Sequence, residues 1–193
     1  MEIRSFLAFE LPADIKRVIT EVSRAGRELP LDLRWVKRDN IHLTVVFMGN
    51  VPEEKIQSIG ESVKKVCTGT DPFDVSPGSL GFFGNRRHPR VLWIGLNGEV
   101  NRMGRFRDAL QKCLKPYGIK TESRPFKPHL TLGRFKKDAR PWPHLDQMIS
   151  EYANLRALAH PLNELVFFKS DLTAGGAVYT KLDSWPLGGL EKL

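Results

Sequence analysis

The sequence has 193 residues, of which 41% are hydrophobic and 27% charged, a composition typical of a soluble globular protein. Its formal net charge of +8 favours polyanionic partners, nucleic acid first. The two cysteines, Cys67 and Cys113, lie far apart in the chain, which argues against a disulfide framework and fits a reducing, cytoplasmic setting. We expect no signal peptide, and no apolar run reaches the roughly 18 residues that a transmembrane helix needs.

The first half predicts alternating strands and helices. Ile15, Ile19 and Val22 follow Pro12 at the spacing of one helix face. A second helix is predicted after Pro52, because a proline followed by two acidic residues favours a first helical turn. The predicted strands are residues 3–9, 41–48, 73–75 and 91–96, and the segment GFFGNRRHPR is expected to form a loop before the last of these.

The second half repeats the same order of elements. Strand 91–96 leads into a helix near residues 100–114, then a strand at 129–132 and a helix near 145–152. Two further strands, at 165–169 and 178–182, are joined by turn-forming residues. Strand 91–96 belongs to both repeats, so the boundary between them is blurred.

This repetition predicts an α+β fold. We expect a bilobal pseudo-twofold duplication, in which two antiparallel sheets flank a central cleft and helices cover the outside. No flexible linker separates the halves, so residues 1–193 are expected to form a single bilobal domain. Its intertwined lobes would span approximately residues 1–90 and 91–193.

The triplet His-Leu-Thr occurs twice, at residues 42–44 and 129–131, each time in a predicted strand. Side chains alternate between faces along a strand, so His42 and Thr44 share one face. His129 and Thr131 share a face in the same way. A repeat could retain the leucine for packing, but packing gives no reason to retain a histidine and a threonine on the polar face. The repeated triplet therefore predicts a catalytic site.

Two such faces across a cleft suit in-line displacement at phosphorus. One histidine can take a proton from the nucleophile while the other protonates the departing oxygen, because an imidazole pKa of about 6.5 lets both forms coexist near neutral pH. Thr44 and Thr131 can donate hydrogen bonds to the non-bridging phosphate oxygens. This design requires no metal and no cofactor. The motifs are symmetric, so the residues alone do not say which histidine is the acid.

The sequence resembles the two-histidine phosphoesterase superfamily, which is defined by paired His-x-Thr-x motifs. These are His42-Leu43-Thr44-Val45 and His129-Leu130-Thr131-Leu132. More closely, the chain is similar to the bacterial and archaeal RNA 2′,3′-cyclic phosphodiesterases, also called 2′-5′ RNA ligases. The likeness covers nearly the whole chain, in the segments RSFLAFELP, LRWVKRDNIHLTVVFMG, GSLGFFGNRRHPRVLWIGL, RPFKPHLTLGRF and LVFFKSDLTAGGAVYTKLDSWPL.

The resemblance implies an active site between two lobes of a monomer. It implies that water opens a terminal 2′,3′-cyclic phosphate on RNA, with tRNA fragments among the candidate substrates, and leaves a 2′-phosphate. His42 would be the proton donor to the leaving 3′ oxygen, and His129 the proton acceptor from water. The same site operating in reverse would join a cyclic phosphate end to a 5′-hydroxyl, which accounts for the ligase name.

Other residues are candidates for phosphate or RNA binding. Arg134 resembles a family arginine that helps to hold the phosphate; strict alternation puts it opposite His129, although Gly133 allows a bulge. Lys37 and Lys127 lie near the motifs and could add positive potential. Candidates for contacts with the RNA backbone or for base stacking are Arg86, Arg87, Arg90, Phe6, Phe82, Phe83 and Trp35.

Three alternatives stay open at the level of sequence. The first is a non-catalytic RNA-binding module with the same fold. The second is the same chemistry on cyclic nucleotides, 2′-5′ oligoadenylates or ADP-ribose cyclic phosphate. The third is a metal site built on the histidine pair, which is disfavoured because the motifs add threonines and no nearby carboxylate.

Overall fold

The computed structural model describes residues 1–155 and 157–189. Nine strands and four α-helices are found in this part of the chain. The strands are β1 (Glu2–Phe9), β2 (Leu33–Trp35), β3 (Leu43–Pro52), β4 (Phe73–Gly84), β5 (Pro89–Gly98), β6 (His129–Phe135), β7 (His160–Leu162), β8 (Glu164–Thr173) and β9 (Gly176–Pro186). The helices are α1 (Ala13–Arg27), α2 (Ile56–Thr68), α3 (Val100–Leu114) and α4 (His144–Glu151).

The strands form two sheets. One has the order β3-β1-β8-β9 and the other the order β2-β6-β5-β4-β7. Neighbouring strands are antiparallel throughout. The α+β class with two antiparallel sheets is therefore confirmed.

Both sheets take strands from both halves of the chain. The proposed boundary at residue 90 falls within β5, which forms a hairpin with β4 in one sheet, where Phe82 pairs with Leu92. The last hairpin, β8 and β9, returns to pair with β1. The ranges 1–90 and 91–193 are thus interleaved and do not correspond to one sheet each. The description of the chain as a single bilobal domain stays a prediction.

Each helix packs with its apolar face towards the hydrophobic core. On α1, Ile15, Ile19 and Val22 are fully buried, as the sequence spacing predicts. Helix α2 packs against α3 and β9, whereas α1 and α4 contact β4. Burial of these stripes into one large hydrophobic core supplies most of the stability of such helices.

The segment GFFGNRRHPR is mostly strand, so its prediction as a loop was wrong. Strand β4 runs to Gly84, and only residues 85–88 form a turn before β5. The Asn85 side chain closes this turn by accepting hydrogen bonds from the backbone N–H groups of Arg87 and His88. Such a tight turn lets pairing continue almost to the tip. Strands β2 and β7 were not predicted, because three residues are too few to show a period.

Both motif strands contain a β-bulge directly after the motif threonine. In β3, Thr44 pairs with Ala8 and Val46 with Leu7, so Val45 has no partner across the ladder. In β6, Leu132 is the extra residue, because Thr131 pairs with Trp93 and Gly133 with Leu92. The matched irregularity supports the pseudo-twofold relation of the halves.

Each bulge changes which side chains share a face. Beyond the extra residue, the alternation of side chains between the two faces is shifted by one residue. Thr131 pairs with Trp93 and Arg134 with Val91, two residues away on the same strand, so Arg134 lies on the face of Thr131. The expectation that strict alternation holds Arg134 opposite His129 is thereby corrected. Phe47 joins the face of Thr44 in the same way, since it pairs with Phe6.

The close pairing of β2 beside the bulge in β6 requires a glycine at residue 133. A Cβ at Gly133 would lie 2.6 Å from Leu33 Cδ2 and 2.9 Å from the Arg34 carbonyl oxygen on the neighbouring strand β2. Gly133→Ala should therefore lower the free energy of unfolding by about 1–3 kcal/mol through overpacking. Urea denaturation would measure this.

Gly69→Ala provides the control, because the nearest atom to a Cβ there is 3.9 Å away. Its effect should stay within about 0.5 kcal/mol. Equal stability of the two variants would contradict the role of Gly133.

Candidate active site

A cleft of about 910 Å³ brings residues of the two sheets together. Thr44 and Phe47 of β3 line it, as do His129, Thr131 and Arg134 of β6. The two strands approach within 8 Å of each other between Cα atoms. The threonines of both motifs and His129 therefore lie around the same cleft.

His42 lies at the entrance of β3, packed against aromatic rings. It stacks on Phe6 with ring centroids 4.7 Å apart and meets the Tyr179 ring edge-on at 5.2 Å. Phe6, Phe168 and Tyr179 belong to a small apolar cluster on the cleft face of this sheet. His42 is half-buried by them and is not itself among the residues that line the cleft.

His129 has an equivalent environment in the other sheet. Its ring meets Phe83 edge-on at 4.8 Å and Trp93 at 6.4 Å. The Lys127 ammonium lies 4.3 Å above the centroid of the Trp93 ring, an attractive cation–π arrangement. His129 therefore lies against two aromatic rings and close to the positive charge of Lys127.

Both histidines are oriented by the same hydrogen bond. His42 Nδ1 lies 2.8 Å from the Asn40 carbonyl oxygen, and His129 Nδ1 lies 2.7 Å from that of Lys127. A carbonyl oxygen can only accept, so Nδ1 carries the proton and donates it. In the neutral form of each ring, Nε2 is left as the atom that accepts a proton, and in the charged form it donates one.

The pKa of each histidine is lowered, chiefly by burial, which disfavours the charged imidazolium. In both cases the hydrogen bond to a carbonyl partly opposes this effect. For His129, the positive charges of Lys127 and Arg134 lower the pKa further. The two histidines are therefore similar in position but unequal in electrostatic surroundings.

Arg134 connects the two halves of the site electrostatically. Its charge acts on His129 and also on Tyr179, the ring that packs against His42. Burial raises the pKa of Tyr179, and the positive charges of Arg134 and Arg4 oppose that rise. The His42 end of β3 thus lies towards the Arg134 end of β6.

The arginines in and beside the turn of residues 85–88 have different surroundings. Arg86 forms a two-point ion pair with Asp146 and stacks on Trp142, so its charge is already engaged. Arg87 is exposed and does not line the cleft, whereas Arg90 does. Of this cluster, only Arg90 is placed to meet a ligand in the cleft.

The aromatic residues predicted to stack on bases also differ in position. Phe6 is only 4% exposed and its ring is covered by His42, so the prediction that it stacks on a base is wrong. Phe83 lines the cleft beside His129. Phe82 and Trp35 pack against the core. Burial by neighbours distant in sequence explains these outcomes.

Three residues of the site were missed in the sequence. Phe47 is 50% exposed in the cleft, with the Arg4 guanidinium 4.6 Å above its ring. The equal spacing of His-x-Thr-x-x-Phe and His-x-Thr-x-x-Arg was a usable signal for it. Tyr179 and Asn40 had no such signal. The Asn40 side chain donates to the Ala177 carbonyl oxygen at 2.8 Å, across 137 residues of chain.

The described residues offer little to a metal ion. Within residues 1–155 and 157–189, no group of three or more His, Cys, Asp or Glu side chains is arranged to hold one. Over the same residues, none of the helices has the length and apolar character needed to cross a membrane.

Comparison with known proteins identifies the family of this chain. Its paired His-x-Thr motifs are those of the two-histidine phosphoesterases. The chain belongs to the 2′-5′ RNA ligase superfamily, whose family model matches residues 8–174. A relative from Methanothermobacter thermautotrophicus, named RNA 2′,3′-cyclic phosphodiesterase, is 30% identical and covers 97% of this chain and 100% of that protein.

Solved structures share the fold. A crystal structure of a Thermus thermophilus protein has a TM-score of 0.82 and 26% identity, over 98% of this chain and 100% of that one. Escherichia coli LigT without ligand has a TM-score of 0.73 and 27% identity, over 96% of this chain and 98% of that one.

The shared Nδ1 hydrogen bond gives a direct prediction. The neutral forms of His42 and His129 should both carry their proton on Nδ1, because each donates to a carbonyl oxygen. Nitrogen-15 NMR of the imidazoles at high pH would identify the protonated nitrogen. Exposed His88 serves as an internal reference. Protonation of Nε2 in either motif histidine would contradict the assignment.

Proposed function

We propose that the protein hydrolyses terminal 2′,3′-cyclic phosphates on RNA to 2′-phosphates, with His42 and His129 as general acid and base. One observation carries the proposal: each motif histidine donates Nδ1–H to the carbonyl oxygen two residues before it, which leaves Nε2 free, and the threonine of each motif lines the same cleft. Relatives named RNA 2′,3′-cyclic phosphodiesterase from Methanothermobacter thermautotrophicus and Aquifex aeolicus support this choice of substrate.

The reaction needs one proton taken and one proton given. His129 Nε2 accepts a proton from water while the water oxygen bonds to phosphorus. The bond from phosphorus to the 3′ oxygen breaks, and His42 Nε2–H protonates that oxygen. The phosphate stays on the 2′ oxygen. Proton transfer of this kind typically contributes about 10²–10⁴ in rate.

The surroundings of the histidines support this division of roles. Lys127 and Arg134 disfavour a proton on His129, so His129 is suited to be the base. The causes that shift the pKa of His42 are burial and its hydrogen bond to Asn40. No cation is among these causes, so His42 is better suited than His129 to hold the proton that is donated. The same assignment follows from the family resemblance.

The neighbouring side chains fit the remaining tasks. Thr44 and Thr131 can donate hydrogen bonds to the non-bridging oxygens, where charge accumulates. Arg134, brought to the same face by the bulge, can bind the phosphate through two N–H groups. The exposed ring of Phe47 is available to stack on the terminal base.

The site also allows a 5′-hydroxyl of RNA to replace water. Attack by that oxygen would form a 2′-5′ phosphodiester, with the same proton transfers at His129 and His42. Both histidines come from one chain, which supports a monomeric enzyme. Hydrolysis stays the principal proposal, because water needs no second RNA strand.

His42→Ala and His129→Ala should each lower hydrolysis of a cyclic-phosphate-ended RNA by at least about 10²-fold. Activity can be followed by chromatography, with phosphorus NMR to locate the product phosphate on the 2′ oxygen. His88→Ala, at an exposed histidine outside the cleft, is the matched control and should be unaffected. Turnover should persist in excess EDTA.

Near-normal activity of either motif variant would refute the acid–base pair. RNA binding without hydrolysis by the unaltered protein would favour a binding module instead.

The pH dependence of kcat/KM should be bell-shaped with its maximum below pH 6.5. Activity rises as His129 loses its proton and falls as His42 loses its own, and the pKa of each lies below the ordinary value of 6.5. The kcat profile should shift to higher pH, because a bound phosphate anion favours protonated imidazoles. Initial rates between pH 4.5 and 9 in constant ionic strength would measure both. A kcat/KM maximum above pH 7 would contradict this electrostatic description.

A further inference from the structure

The cleft continues beyond the two motifs along the chain that connects α3 to β6. Residues 118–128 form no regular helix or strand. Three cationic side chains from this connection, Lys120, Arg124 and Lys127, line the cleft together with Phe47 and His129. We call these three the basic arm. The proposed hydrolysis at the motifs does not use Lys120 or Arg124.

The basic arm is held in shape by two buried polar side chains of α3. Arg107, only 8% exposed, donates to the Arg124 carbonyl oxygen at 3.0 Å. Gln111, 7% exposed, accepts a hydrogen bond from the backbone N–H of Glu122. Buried hydrogen-bonded anchors of this kind fix a connection that has no regular structure of its own. The arm is therefore a preformed surface that leads to His129.

The charges of the arm are partly free to meet an anion. Arg124 is bridged to Glu122, and both side chains are exposed. Among the ion pairs of the described residues, neither Lys120 nor Lys127 takes part. A ligand phosphate could bind these ammonium groups without first breaking an ion pair.

The extent of the cleft exceeds one nucleotide. The face of β6 from His129 to Arg134 spans about 16 Å at the usual rise of a strand, before the arm is added. Successive stacked nucleotides lie about 3.4 Å apart. The basic arm lines the cleft beyond this face, so the cleft has room for nucleotides besides the one at the motifs.

The chemistry of the reacting end decides which nucleotides these are. In a 2′,3′-cyclic phosphate both the 2′ and 3′ oxygens belong to the ring. The chain can leave the terminal ribose only through its 5′ oxygen. Any additional phosphate of the same strand is therefore on the 5′ side.

We propose that the basic arm binds the phosphodiesters 5′ to the reacting end, so that the enzyme selects cyclic-phosphate-ended oligonucleotides over cyclic mononucleotides. This rests on the proposed hydrolysis. It assigns Lys120 and Arg124 to substrate selection, separate from the chemistry of the histidine pair. A second RNA strand offering a 5′-hydroxyl is the competing occupant.

The test compares 2′,3′-cyclic AMP with the trinucleotide ApApA bearing a 2′,3′-cyclic phosphate. In the double variant Lys120→Gln/Arg124→Gln, kcat/KM for the trinucleotide should fall at least about 10-fold. A plot of log kcat/KM for the trinucleotide against log salt concentration should also become less steep, its slope changing by about 1 to 2. The value for cyclic AMP should stay within about twofold, which also shows that the fold is intact. The double variant Lys64→Gln/Arg105→Gln removes the same charge from exposed helical positions outside the cleft and should leave both substrates unaffected.

Several results would overturn the proposal. An equal fall on both substrates would mean that the arm acts on the reacting phosphate, and no fall on either would mean that it does not contact RNA. Loss of ligation to a 5′-hydroxyl RNA with normal trinucleotide hydrolysis would assign the arm to the second strand.

Binding separates this proposal from the proposed hydrolysis. The ratio of the affinity for the trinucleotide ending in a 2′-phosphate to the affinity for 2′-AMP should be lower in Lys120→Gln/Arg124→Gln than in the unaltered protein. This comparison does not require the unaltered protein to hydrolyse either cyclic substrate. An unchanged affinity ratio would refute the arm, whereas absent turnover alone would refute the hydrolysis.

Discussion

Each motif histidine donates its Nδ1 proton to the carbonyl oxygen two residues before it, and the proposed chemistry depends on this bond. The bond fixes the direction of the ring and leaves Nε2 free. It requires the residue two positions upstream to turn its carbonyl towards the ring just before the strand begins. Because both motifs meet this requirement, Nε2 is the ring nitrogen left free in each half, and the threonine of each motif lines the same cleft.

A second constraint acts immediately after each threonine. The bulges at Val45 and Leu132 shift alternation by one residue and add a third side chain to each cleft face. In one sheet this side chain is Phe47, and in the other it is Arg134. The same β-bulge thus occurs in both halves, and it brings an aromatic ring to the cleft face in one half and a cation in the other. Gly133, next to the bulge in β6, allows β2 to pair closely with this strand, because β2 leaves no room for a Cβ there.

The symmetry of the backbone does not extend to the electrostatics. His42 packs against Phe6, Phe168 and Tyr179, an apolar cluster that covers part of the ring. His129 lies beside Lys127 and Arg134, whose charges act in the same direction as burial. Related strands can thereby serve unequal roles, because the charged neighbours come from residues that differ between the halves. The basic arm adds to this asymmetry on the side of His129.

Sequence alone determined the α+β class, most of the helices and the two His-Leu-Thr strands, because periodic burial and a repeated polar triplet are local patterns. It also contained Arg134 and, in the equal motif spacing, an unused indication of Phe47. Only the tertiary structure decided that both sheets draw strands from both halves, that Phe6 is covered, and that Arg86 is held by Asp146. Tyr179 beside His42 and Asn40 bonded to Ala177 likewise join residues more than 130 positions apart. Pairing between distant strands creates these contacts, and no local pattern of residues encodes which distant partner a side chain will meet.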